Sequence, residues 1–531
     1  MSAWHTEAYR KALESAAFTF PHYEMTTSPI LLPTPSPSSS SSHPTSTTSC
    51  KPFHVLIIGG SITGLTLAHC LTAAGISYTI LEKHRNLVAP LGGGIGVAPT
   101  GARILDQLGL FENLNAIAQG IRILRTGFPD GSGVSQTWVR EFEGRYGYGF
   151  SIVTRQQLLE VLYTGLGERA KQAVHGGAEV TKICHEGDVV KVHTSAGNVY
   201  TGDLVVGADG LHSIARSDIL KMIGRKAIGE TSSERPSPLS HVPFDLPPRD
   251  QKRQWQLIPY SRTDLTADYR VHVGLSTSIP DLSTGEQIIR SYDGFALFVF
   301  CGKDGEVGWF ATEKLDRRYT YPERPIYTQE DAMAYCESLS DVNVWGDIKF
   351  GAVWKARTSF SHALVDEHVF STWNCGRVVC VGDSVVKISP NSGLGASLGM
   401  ECAAALTNKL HSLLSSKSPI SKGTSKPSTA TIEALLNEYT NSQHRRARMI
   451  GFASYGAIRL HSRDGWLNAL IGGFVLRSER LAVFWTTVIM KGGIKLDFRP
   501  VPRRGSEKQR WTMRSVILFV SAIVVLLAVA L

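Results

Sequence analysis

Residues 54–83, HVLIIGGSITGLTLAHCLTAAGISYTILEK, constrain the fold more than any other part of this chain. A continuous apolar run enters a Gly-rich turn, an apolar helical segment follows, and a second apolar run ends at Glu82. Such runs fit strands of a parallel sheet covered by helices on both faces. In a nucleotide-binding βαβ unit, Gly59 permits the tight turn and Gly64 lets the helix pack close to the strand. The helix N-terminus offers free N–H groups and a positive dipole end to a phosphate. Glu82 stands where an acid accepts hydrogen bonds from ribose hydroxyls. The middle glycine of the motif is replaced by Ser61. Serine keeps its N–H and adds a small hydroxyl able to donate to a phosphate, so the expectation is that the site survives.

Two more strand ends carry chemistry-bearing residues. Gly207-Ala208-Asp209-Gly210 follows the run LVV and opens a helix. There a carboxylate could hold water or backbone near a phosphate, although Asp-Gly is also an ordinary turn pair. Gly382-Asp383 ends the run RVVCV, placing an acid at the carboxyl end of a parallel strand, where ligands bind in such sheets. A surface Asp capping a helix is the plainer alternative. Pro390 to Gly395 then turn into a Gly-punctuated apolar helix whose N-terminus can stabilise negative charge on a ring system.

The pattern predicts an α/β chain with a discontinuous Rossmann-like domain, residues 52–229 and 365–414. Between them, alternating runs such as YRVHVGLSTS predict an inserted antiparallel-sheet domain over 230–364. Helices are expected over 415–492. Residues 1–51 include a Pro/Ser tract that cannot bury apolar surface and is expected to be disordered. Eight cysteines lack zinc-site spacing, which argues against a metal centre. The net charge of +9 forms no basic stripe interleaved with aromatics in the folded part, which argues against nucleic acid. No apolar run follows a basic start, so no signal peptide is expected.

Residues 515–531, SVILFVSAIVVLLAVAL, hold no charge and follow a basic linker at 493–514. As a helix they reach about 25 Å, near the thickness of the thin endoplasmic-reticulum bilayer. The expectation is one transmembrane helix, with the basic flank keeping the body cytosolic.

Taken together, VLIIGGSITGLTLAHCL, ILEKH, GGGIGVAPTGARILDQLGL, SIVTRQQLLEVL, DLVVGADGLHSIAR and VGDSVVKISPNSGLGASLGMECAAAL resemble class A FAD-dependent monooxygenases of the para-hydroxybenzoate hydroxylase fold. Within that family the chain is most similar to fungal epoxidases of indole-diterpene and meroterpenoid pathways. The resemblance spans residues 50 to 410, and the Gly-Gly-Ser departure is familiar in this subgroup. It implies tightly bound FAD, NADPH as a transient reductant, O2, and a hydrophobic secondary-metabolite precursor. It further implies that Glu82 holds the adenosine ribose, and that Gly96 lets backbone approach the cofactor. Arg155 would bind near the diphosphate or ribityl chain, and Asp383 would bond the ribityl hydroxyls. Ala396, just past Gly395, would offer an N–H to the flavin pyrimidine edge, and Asp209 and Gly210 would support FAD and NADPH. Arg270, in DYRVHVGLS, matches a substrate-side position, and a strand-surface arginine is its alternative. Epoxidation of a prenyl alkene is the expected reaction. Aromatic hydroxylation, an oxygen-independent reductase or dehydrogenase, and a non-catalytic membrane-tethered FAD-binding protein stand as alternatives. The WxWxIP signature of flavin halogenases is missing.

Overall fold

The computed structural model describes residues 52–89, 93–227, 265–415, 426–503 and 505. The expectations for residues 1–51 and for the 515–531 helix lie outside them. Among the described residues no helix is long and apolar enough to cross a membrane.

The core of the first layer is a six-stranded sheet. β1 (His54–Ile58) leads through α1 (Ile62–Ala73) to β2 (Ser77–Glu82). Val55, Leu56, Ile57 and Ile58 are all buried, as the unbroken apolar run demands. α1 has no polar face because the sheet and two further helices enclose it. β3 (Gly94–Val97) pairs antiparallel with β4 (Ser151–Thr154), which runs straight into α2 (Arg155–Thr164). β5 (Val174–Gly176) and β6 (Leu204–Gly207) return to the parallel sheet, and α3 (Ile214–Ala227) follows. β2, β5, β6 and β1 are joined in parallel register.

The second layer is an eight-stranded sheet built on β7 (Thr266–Ser276), β8 (Glu286–Tyr292), β9 (Phe295–Cys301) and β10 (Val307–Thr320). α4 (Gln329–Ser338) covers its outer face, and β11 (Arg357–Val369) extends it beside β7. The sheet is larger than the expected 230–364 insertion. Ile123–Gly127 pairs parallel with β8 and Gly133–Gln136 pairs with it in turn, so the first chain segment supplies one edge.

β12 (Val378–Cys380) then rejoins the first sheet beside β6. α5 (Gly395–Leu414) packs on α1. α6 (Thr429–His461) is 33 residues, about 50 Å long. It is the first of the helices expected over 415–492, and it acts as a strut. At its start Glu433 accepts from the Gly376 N–H at 3.0 Å. Midway, Arg446 makes a two-pronged buried ion pair with Glu401 of α5, both contacts 2.9 Å. Near its end, Arg459 pairs with Glu367 of β11 at 3.0 Å. One long helix thus ties the first sheet to the second. The seven described cysteines form no disulfide.

Candidate functional site

Ser61 answers the first question the sequence raised. Gly59 sits at φ +104°, and a Cβ there would lie 2.5 Å from the Ala208 carbonyl oxygen. At Gly64 a Cβ would lie 1.9 Å from the Gly59 oxygen, so the close helix approach is real. Ser61 is the N-cap of α1 but makes no side-chain cap bond. Its hydroxyl instead accepts from Arg155 Nη2 at 2.9 Å, leaving its own proton available to a ligand.

Arg155 is held by local structure. Thr154 and Gln157 form a capping box that fixes the first turn of α2. The Arg155 N–H donates to Gly93 O at 3.1 Å. Burial lowers the pKa of its guanidinium, while the Glu82 carboxylate pulls the other way. Glu82 is buried at the end of β2. Its Oε2 accepts from the Gly60 N–H at 2.7 Å and its Oε1 from the His84 N–H at 2.9 Å. The loop is therefore shaped around the carboxylate before any ligand arrives.

Gly96 and Gly393 face each other: a Cβ on Gly96 would come 2.9 Å from Gly393 O. Gly393, at φ +64°, closes the Pro390–Ser392 turn ahead of α5. Leu394 caps α5 without a side-chain bond, so Gly395 and Ala396 begin the helix with no side-chain acceptor at its cap. Thr63 of α1 fits between Gly382 and Gly399, where added Cβ atoms would meet its Oγ1 at 2.6 and 2.3 Å. Two helix N-termini, the Gly-rich strand and the Gly382–Ser384 turn therefore converge.

Asp383 is half-exposed on that turn, and Lys387 donates to its Oδ2 at 2.6 Å. Burial depresses the lysine, but Asp383 and Asp366 outweigh it and its pKa is raised. Asp209 holds backbone at its strand end, one of the parts expected of it. Its Oδ2 accepts from the Ile214 N–H at 2.7 Å, anchoring α3, and its Oδ1 accepts from the Ser384 hydroxyl at 3.1 Å. The Ser384 hydroxyl oxygen accepts in turn from the Gly210 N–H at 3.0 Å. Burial raises the Asp209 pKa. The pair supports the turn that bears Asp383; its polar atoms are engaged within the protein.

Arg270 is not brought to this site. Alternation on β7 sends Val271 and Val273 inward: a Cβ on Gly93 would meet Val273 Cγ1 at 2.1 Å, and Val271 packs with Ile458 of α6. Arg270 and His272 point outward, under α4. Arg270 pairs with Glu313 and stacks on Tyr327 at 4.1 Å. His272 Nε2 lies 3.0 Å from the same carboxylate, and its ring stacks on Tyr335 at 4.7 Å. The alternative of a structural strand arginine is the one the geometry supports, although buried and not at the surface.

The sequence reading missed Thr63, Lys387, Ser384 and Asn391. Asn391 is buried in the turn before α5, and neither its Oδ1 nor its Nδ2 has a partner in the protein. A buried amide left unbonded is costly, so it points to a ligand. Its position in the Pro390–Gly395 turn was the available signal. With two side-chain-uncapped helix starts, a glycine-lined cradle and this orphaned amide, the residues present fit FAD. Glu82, Ser61, Arg155, Asp383 and the α5 N-terminus are the groups that would hold it.

Residues 53–271 and 351–423 match the FAD binding domain family. Over 456 residues the chain is 36% identical to the FAD-dependent monooxygenase janM of Penicillium janthinellum, covering 86% of this chain and 87% of that one. It is 35% identical over 453 residues to the FAD-dependent monooxygenase paxM of Penicillium paxilli, covering 85% and 88%. Among solved structures, Klebsiella pneumoniae HpxO complexed with FAD and uric acid superposes with a TM-score of 0.63 at 19% identity, over 83% of this chain and 97% of that one. A salicylate hydroxylase substrate complex gives 0.57 at 17% identity, over 84% and 98%. These two share the fold. The glycine cradle, the paired helix starts and the two fungal relatives lead to one assignment: this chain belongs to the FAD-dependent monooxygenases.

Proposed function

We propose that the protein uses NADPH and O2 to insert one oxygen atom into a hydrophobic secondary-metabolite precursor, epoxidising a prenyl alkene ahead of a cyclisation. Bound FAD would supply the redox chemistry, taking electrons from NADPH and activating O2. The chain's own residues bind, orient and exclude water. Glu82 accepts from ribose hydroxyls while its other contacts keep the loop in shape. Ser61, Arg155 and the α1 N-terminus hold the diphosphate. Asp383, steadied by Lys387, accepts from the ribityl hydroxyls. The N–H groups at Gly395 and Ala396 stabilise negative charge on the ring edge.

The observation that carries the substrate reading is the inner face of the second sheet. Val273 and Phe300 lie directly against Gly93 and Gly94, where added Cβ atoms would each meet them at 2.1 Å. Phe298 and Phe310 stack beside them with centroids 4.3 Å apart. The strand that abuts the Gly393 turn is therefore backed by an apolar, aromatic wall. Such a wall suits a prenylated aromatic or indole and keeps water from the reaction. The uncharged 515–531 run, read as a single-pass anchor with the body in the cytosol at the endoplasmic reticulum, would place the site where such a substrate concentrates.

Incubation of the holoenzyme with NADPH, isotopically labelled O2 and a panel of prenylated aromatics and indoles tests this. One labelled oxygen should appear in an epoxide, with NADPH consumed in equal amount. Label on an aromatic carbon would make the enzyme a hydroxylase, and peroxide as the sole product across the panel would end the proposal. Deleting 515–531 should turn an association that only detergent breaks into one that high salt or carbonate removes.

A further inference from the structure

The helix α7 (Gly465–Val475), GWLNALIGGFV, holds no charged residue. Its one polar side chain, Asn468, donates back to the Asp464 carbonyl at 2.7 Å. Gly472 lets it lie on the end of α6, since a Cβ there would stand 3.0 Å from Leu460 O. The other side faces outward. Trp466, Leu470 and Phe474, each four residues apart, form one stripe and are 69%, 58% and 55% exposed. Phe452, two turns before Leu460 on α6, is 76% exposed. Single exposed apolar residues are ordinary, but a stripe of three on an uncharged helix marks an interaction surface. At 11 residues α7 is about 16 Å long, roughly half the hydrocarbon core, so it lies in an interface and does not span one.

Two observations say what covers it. The first is charge. Residues 444–503 hold eleven Lys and Arg against three acidic residues. Arg446 and Arg459 are used in buried ion pairs, and Arg463, Arg477 and Arg503 pair with Asp293, Asp130 and Glu112. Arg445, Arg448, Arg480 and Lys491 are exposed and remain to carry the positive charge. An apolar stripe set in a basic region is complementary to an anionic bilayer surface. The second is the course of the chain. α8 (Glu479–Lys491) follows α7, and its Glu479 accepts from the Thr137 N–H at 3.3 Å. Beside it Trp138 packs edge-on against Phe142, centroids 5.8 Å apart. The short helix bearing Phe142 ends at Gly147, where a Cβ would meet Arg503 Cβ at 3.1 Å. The last described residues thus lie beside these contacts, on the segment that follows α8.

We infer that the α7 stripe and its basic surroundings form a lipid-docking face that seats the folded body on an anionic membrane. Asp464, which precedes α7, accepts from the Tyr269 hydroxyl of β7 at 2.6 Å. Docking would therefore hold the second sheet at the bilayer surface, and it does so whether or not the tail spans.

The test places an environment-sensitive nitrobenzoxadiazole label at Leu470→Cys in the full-length holoenzyme, with wild-type labelling subtracted. Lys182→Cys, on the exposed strand Val180–Glu186 of the cofactor domain, is the control. With vesicles of phosphatidylcholine and phosphatidylserine, the label at 470 should shift to the blue. Acyl-chain doxyl quenchers should quench it at least threefold more than the control, and less so with phosphatidylcholine alone. Equal quenching at both positions overturns the inference, even if the tail anchors the protein. A lipid-independent blue shift that grows with protein concentration also overturns it, by putting a second copy on the face.

Discussion

Arg155 and Arg270 look alike in the sequence, each a lone arginine beside apolar strand residues, and the fold treats them oppositely. Arg155 opens α2 with one neutral side-chain partner, Ser61, and a nearby carboxylate, Glu82. Its guanidinium keeps donors for something not of the protein. Arg270 spends Nε and Nη2 on the Glu313 carboxylate and lies against Tyr327 and Tyr335, with its buried Nη1 left unbonded. The lesson is that an arginine's partners, more than its sequence surroundings, mark a binding residue. A desolvated arginine whose charge is met by a bidentate carboxylate holds a structure together; one whose hydrogen bond goes to a neutral hydroxyl keeps its charge for a ligand.

The sharpest break of this comparison is Glu313→Gln. It strands Arg270 in a buried position and should cost about 4 kcal/mol of stability, with flavin content per folded molecule unchanged. Thermal unfolding with flavin quantitation reads both. Lost flavin in a folded variant would return Arg270 to the site.

Next comes pH. His461, under the inner face with its ring edge-on to Phe298 at 5.2 Å, is pushed down to about 4 by burial. Its ordinary value is 6.5. The unfolded chain therefore takes a proton the folded one refuses, and stability present above pH 6.5 is lost as pH falls toward 4. The loss should reach about 3 kcal/mol, and denaturant titrations should find it much reduced in His461→Leu. On the Arg155 side, Arg155→Met should weaken FAD binding at least tenfold, about 1.5–3 kcal/mol for hydrogen bonds from a charged group. The apoprotein's melting temperature should hardly move. Ser61→Gly, which restores the common motif, is the smallest: loss of one hydrogen bond, about 1 kcal/mol, weakens FAD roughly fivefold. A tighter complex would show that Ser61 is a compromise and not a partner.

The cofactor half was legible because its rules are local. A glycine forced to φ +104° and an acid at a strand end can be read in one stretch of chain. The second sheet was legible only as alternation. Period two tells that Arg270 and Val271 face opposite ways, but which face meets the cofactor depends on Gly93 lying against Val273, 180 residues away. The same distance hid the edge strands Ile123–Gly127 and Gly133–Gln136, which pair with residues far along the chain. α6 was legible only as part of the helices expected over 415–492, since its role as a strut rests on Glu401 and Glu367. Asn391 gave little away because an orphaned amide is visible only once its surroundings are known.

The central claim is that glycine turns and helix starts from separated segments close on a single flavin. Titration of the apoprotein with FAD, followed by calorimetry and by the flavin absorbance of the dialysed product, tests it most directly. The account requires one FAD retained per chain, with Arg155→Met and Glu82→Gln binding more weakly and Arg270→Met retaining FAD as wild type does. A colourless protein that takes up no FAD, or a loss of binding that follows Arg270 instead of Arg155, would contradict it.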